Sequence, residues 1–100
     1  MGPPVGSSII DTLASDRQLR GYLRDGRIAT MPAKRARRLA LLAAVSQAFE
    51  PGVRYPERAV NAILGSLFDD YAALRRYLVD EHFIDRAGGE YWRSGGPVPL

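Results

Sequence analysis

DDYAALRRYLVDEHFIDRAGGEYWR, residues Asp69 to Arg93, is the stretch whose reading decides the fold. Asp69 or Asp70 can cap the first turn of a helix and places negative charge at the positive end of its dipole. Tyr71, Leu74 and Leu78 follow at spacings of three and four, and Tyr77 and Val79 widen the stripe. One face is therefore apolar and buried, which leaves Ala72, Arg75 and Arg76 toward solvent. After Asp80 and Glu81 the residues turn strand-like over Phe83 to Arg86 and again over Glu90 to Arg93, with Gly88-Gly89 between them. A two-residue primed turn needs positive φ at both central positions, so this is a hairpin. A helix running into a hairpin is the closing half of a winged helix-turn-helix. The expected fold class is mainly α with a small β-hairpin, winged helix-turn-helix-like.

Upstream residues supply the earlier helices. Leu41, Leu42, Val45, Ala48 and Phe49 mark one side of a helix over roughly Pro32 to Ala48, rich in Ala and Leu and opened by a proline. Pro51-Gly52 breaks the chain, Val53 to Tyr55 reads as a short edge strand, and Pro56 preorganises a third helix through Leu67 with Val60, Ile63, Leu64 and Leu67 buried. Asn61 lies beside that stripe, and a partly buried amide needs partners, expected here from backbone at the turn into the last helix. Before Pro32, Ile9, Ile10 and Leu13 suit a short helix, and Leu19, Tyr22 and Leu23 give a second helical face ended by Asp25-Gly26. One bent helix or two would satisfy that pattern. Met1 to Ser8 and Ser94 to Leu100, both rich in Gly and Pro, read as a flexible leader and tail around a single domain over 9–93.

With 100 residues and 46% hydrophobic content the chain has mass for one core. The absence of cysteine excludes disulfides, a thiolate nucleophile and zinc knuckles. No eighteen consecutive apolar residues occur, and Met1 to Ile10 lack a basic start, so a cytoplasmic protein without a membrane partner is expected. His82 is the sole histidine and sits at a helix end; no GxxxxGK loop is present. The acidic pairs Asp69-Asp70 and Asp80-Glu81 point in different directions on a helix. No catalytic residue, cofactor or metal ligand is assigned, and the chain is expected not to be an enzyme.

The net charge is +3, and all positive charge but Lys34 comes from arginine, the better residue for bidentate phosphate or guanine contacts. A GC-rich coding sequence favouring Arg and Ala also accounts for that bias. Candidate nucleic-acid contacts are Lys34, Arg35, Arg37 and Arg38 in the opening turns of the second helix, Arg75 and Arg76 on the last helix, and Arg86 and Arg93 on the hairpin. The basic cluster at a helix amino end opposes the dipole, which fits a phosphate-binding patch or a solvated surface turn. Against this reading, Asp69 and Asp70 stand at the helix end usually pushed toward base edges. The expected partner is double-stranded DNA. The alternative is another protein domain or a second copy, docked through Tyr22, Tyr77, Tyr91 and Trp92; packing of Trp92 over the helix faces is the competing role for that residue.

DGRI at Asp25 to Ile28, MPAKRARR at Met31 to Arg38, Phe49, Tyr55-Pro56-Glu57, Val60-Asn61, LRRYLVD at Leu74 to Asp80, Arg86 and YWR at Tyr91 to Arg93 together resemble the DUF2087 family, over roughly Leu19 to Arg93. Members of that family stand alone or are attached to ArsR-like helix-turn-helix or acetyltransferase domains. The resemblance implies a bacterial cytoplasmic domain connected with transcription and transfers no catalytic residue. One departure is Pro56, where the family usually carries Ser or Thr before the glutamate of its Tyr-x-Glu motif. A side-chain cap is replaced by a proline there.

Overall fold

The computed structural model of the chain describes residues 5–96, and side-chain burial from residue 8. The parts of the expected leader and tail at residues 1–4 and 97–100 lie outside it. Four α-helices and two small antiparallel sheets make up the fold: α1 (Val5–Ala14), a 3-10 turn (Arg20–Tyr22), β1 (Leu23–Arg24), β2 (Arg27–Ile28), α2 (Arg35–Ser46), β3 (Tyr55–Pro56), α3 (Glu57–Gly65), α4 (Tyr71–Asp80), β4 (Ile84–Ala87) and β5 (Glu90–Arg93). One cluster of buried side chains draws on every helix, from Ile9 and Leu13 on α1 through Leu41, Val60 and Leu74 to Ile84 and Tyr91 in the sheet.

The last helix forms as its residues dictate. Asp70 is the N-cap, its carboxylate accepting from the Ala73 N–H at 3.1 Å, and Leu74 and Leu78 are fully buried. At the far end the Phe83 N–H reaches the Leu78 carbonyl and the His82 N–H that of Val79, a Schellman ending in which His82 takes the left-handed position at φ 62°. Gly88 and Gly89, at φ 59° and 80°, then turn β4 into β5. The strand order is β3-β5-β4, with Tyr55 opposite Tyr91. The short strand upstream is thus Tyr55–Pro56 rather than Val53 to Tyr55, and Pro56 is the N-cap of α3, held at ψ 154° by its pairing with Glu90.

The structure corrects four further expectations. Leu19 to Leu23 form no second α-helix: Asp25-Gly26 takes φ of 54° and 73°, so the dipeptide is a hairpin turn between β1 and β2 instead of a helix stop. α2 starts at Arg35, three residues after Pro32, because Lys34 is extended and Arg38 folds back to donate to the carbonyls of Pro32 and Ala33 at 3.3 and 3.0 Å. α1 begins at Val5, inside the stretch expected as a leader, and at the other end the Ser94 and Gly96 N–H groups bond to the Phe83 and His82 carbonyls. Tyr91, not Trp92, is the buried aromatic of β5 at 2% exposure; Trp92 points to the other face, where the Arg54 guanidinium stacks 4.2 Å from its ring centre.

The β1–β2 hairpin braces the turn between α3 and α4. The Ile28 N–H bonds to the Leu67 carbonyl at 2.8 Å, and the Arg27 guanidinium donates to both the Gly65 carbonyl and Asp69, each at 2.8 Å. Gly65 closes α3, so its carbonyl lacks a partner within the helix and Arg27 supplies one. Asp69 is almost wholly exposed, and that half of the contact contributes little. Arg27→Ala is expected to lower stability by about 1 kcal/mol, mostly through the Gly65 carbonyl; urea unfolding of the variant beside Asp69→Ala separates the two halves, the latter changing stability by about 0.5 kcal/mol or less.

Candidate functional site

Burial of Leu74 and Leu78 fixes which side of α4 faces out. Residues two positions from each leucine lie across the helix, so Arg76 and Asp80 are exposed on its crest. On one flank Ala72, Arg75, Arg76, Val79 and Asp80 line a groove closed by Arg86 from β4. On the other flank Ala73, Tyr77, Arg76 and Asp80 line a second hollow, and the Arg38 guanidinium lies 5.3 Å from the Tyr77 ring centre. Arg76 and Asp80 border both depressions and form the ridge between them.

The arginines differ in how far they are committed to the fold. The apolar stripe predicts Arg75 in solvent with Arg76, but Arg75 is half-buried and donates to the Asn61 side chain. Asn61 therefore serves α4 through its side chain rather than bonding to backbone at the turn. Adjacent helix residues lie about 100° apart, so the two arginines differ in burial although both line the groove. Arg35 pairs with Glu81 at 3.0 Å and Arg38 is tied to the α2 entry, while Arg93 donates to the Phe49 carbonyl at 3.3 Å. Lys34 is exposed and Arg37 half-buried at the start of α2. Among the described residues Arg76 and Arg86 take part in no ion pair. The structure thus gathers Arg75, Arg76 and Arg86 into one groove, sets Arg38 beside the second hollow, and engages Arg35 and Arg93 elsewhere.

The two carboxylates at the amino end are also occupied. Asp70 caps α4 and Asp69 lies 2.8 Å from Arg27, although Asp69 stays almost wholly exposed. Asp80 differs: it is exposed on the ridge, and its i, i+4 spacing from Arg76 is the signal in the sequence that places the two on one face.

Residues 27–93 match a family described as "Uncharacterized protein conserved in bacteria (DUF2087)". The chain belongs to the DUF2087 family. No curated protein and no solved structure matches it. The match opens at the first residue of β2, so α1 and β1 precede the part of this DUF2087 chain that the family covers. Several residues that carry the resemblance hold the fold together: the Tyr55 hydroxyl accepts from the Glu50 N–H at 2.9 Å, and the Tyr91 hydroxyl donates to Glu57 at 2.7 Å. Among the described residues no helix is long and apolar enough to cross a membrane.

Burial, and then the hydrogen bond to Glu57, raises the Tyr91 pKa above its usual 10.0. The fold favours the neutral phenol, so this contribution to stability is complete below the unfolded value of 10.0 and is lost as pH climbs through the raised folded value. Tyr91→Phe is expected to lower stability near neutrality by about 1 kcal/mol and to flatten the decline on the alkaline side. Urea unfolding across the neutral and alkaline range checks both effects; a decline as steep as that of the parent would exclude Tyr91 as its source.

Proposed function

We propose that this chain is a winged helix-turn-helix domain that binds double-stranded DNA in a transcription-associated role, with α4 as recognition helix and the β4–β5 hairpin as wing. The convergence of Arg75, Arg76 and Arg86 in one groove between α4 and β4 carries the reading, since that is where a recognition helix and its wing would meet phosphates. The element order supports it. Helix α2, strand β3, helices α3 and α4 and a hairpin whose second strand pairs with β3 is the order a winged helix-turn-helix requires. The Asn61 contact adds a physical advantage: a guanidinium already held by an amide loses less freedom when it meets a phosphate.

The alternative, a module for docking another protein or a second copy, calls for a contiguous apolar patch. Tyr91 is buried, Arg54 covers Trp92, and the exposed large hydrophobic residues among the described residues are Val53 and Tyr71, on separate parts of the chain. Apart from Tyr71 at its first position, the exposed side of α4 offers charge rather than large apolar side chains.

Fluorescence anisotropy against random-sequence duplex DNA at two salt concentrations tests the proposal. Binding in the range of about 1 to 100 micromolar that weakens with salt is expected, and Arg75→Ala/Arg86→Ala is expected to reduce the logarithmic salt slope by about 0.9 for each phosphate that is no longer neutralised. A folded protein that binds no duplex at low salt would overturn it.

A further inference from the structure

The ridge of α4 carries one arginine and one carboxylate, and a phosphate-binding surface has no use for the carboxylate. Resting on the DNA-binding reading above, we infer that Arg76 and Asp80 read base edges, a guanine and a cytosine respectively, while Arg75 and Arg86 hold the phosphates beside them. Arg76 and Asp80 border both depressions flanking α4, so they crown the helix, while Arg75 and Arg86 line one depression alone and Arg38 lies 5.3 Å from the ring centre of Tyr77, which lines the other. A helix about 10 to 12 Å across fits a major groove about 12 Å wide crest first, with its flanks against the two phosphate walls. Beside the ridge, Arg75 and Tyr77 are long and three other neighbours are short. Ala72, Ala73 and Val79 let the helix approach closely enough for an arginine and an aspartate to touch base edges.

The chemistry of the two side chains matches the acceptor and donor pattern of a G·C pair. A guanidinium donates two hydrogen bonds to guanine O6 and N7, and a carboxylate accepts from the cytosine amino group. Four residues along a helix span about 6 Å, roughly two base steps of about 3.4 Å. Guanine and cytosine contacts are therefore placed about two steps apart. Arg76 and Asp80 are both exposed, and among the described residues neither is in an ion pair, so each is available to a partner outside the chain. The geometry also assigns the entering part of α4. Its amino end carries Asp70 and the almost wholly exposed Asp69, whose negative charge is repelled by phosphates, so the middle and carboxyl half go in.

Selection from a randomised duplex library, read by sequencing for the parent chain, Arg76→Gln and Asp80→Asn, tests this assignment. The parent is expected to enrich a guanine and a cytosine about two steps apart. Arg76→Gln is expected to lose about tenfold to a hundredfold on the guanine site and to move that position toward adenine, whose N6 and N7 suit an amide. Asp80→Asn is expected to lose the cytosine preference while binding duplex in general more tightly, because one repulsive charge is gone. Both positions are exposed, and matched circular dichroism and thermal unfolding establish that the variants remain folded. Variants that shift every sequence by the same factor would overturn the base-reading assignment and leave the DNA-binding reading standing. Absence of duplex binding by the folded parent chain would overturn both.

Discussion

Two leucines on α4 set what the molecule can present. Leu74 and Leu78, one turn apart and fully excluded from solvent, lock the rotation of the helix against the core. Truncating such a side chain costs about 2 to 5 kcal/mol, whereas an exposed ion pair contributes about 0 to 1 kcal/mol. No arrangement of surface charge can therefore turn α4 to a different face. Arg76 and Asp80 are on the crest because the leucines are not, and the position of Arg86 relative to them follows from the hairpin that starts directly after the helix.

Around that helix three polar contacts join separate elements. Arg27 closes the carboxyl end of α3, Asn61 joins α3 to α4 through Arg75, and Tyr91 joins β5 to the first turn of α3 through Glu57. A polar group taken from water needs such a partner, and here each partner also sets a position. The consequence for the groove is direct. Arg75 is aimed by its amide, Arg86 stands on a strand paired to β5, and Arg76 extends from exposed surface on the helix crest.

The parts legible in the sequence are those with local causes. The Asp70 cap, the leucine stripe and the Gly88-Gly89 turn each act within a few residues, and all three appear where the pattern predicts. Non-local causes escape such a reading. Asp25-Gly26 can end a helix or turn a hairpin, and only the docking of Ile28 on Leu67 decides between them. Strand alternation places Tyr91 and Trp92 on opposite faces without saying which is inside; the register against Tyr55 brings Tyr91 into the core. Asn61 is bonded to a residue fourteen positions away, a partner no spacing rule names. Pro32 is a sound helix opener by its own φ, yet the carbonyls there are held by a side chain from the following turn.

The sign pattern of the exposed charges bears on how such a domain would divide affinity from selectivity. Sequence-blind attraction to duplex DNA grows with the number of phosphates neutralised, and beside the ridge the groove supplies two arginines for them, Arg75 and Arg86. On the nucleic-acid reading that places the electrostatic part of binding at the modest end. Lys34 and Arg37 lie at the amino end of α2, and Arg35 and Arg93 are engaged within the fold, so they add little at the ridge. A carboxylate on the crest lowers the sequence-blind part further, while its penalty is largest wherever no cytosine amino group meets it. On that reading the same charge that weakens general attraction would widen the gap between a matched and a mismatched site. A neutral residue in place of Asp80 would leave the arginine contacts as they are and remove the penalty at mismatched sites, so general attraction would rise and the gap would narrow.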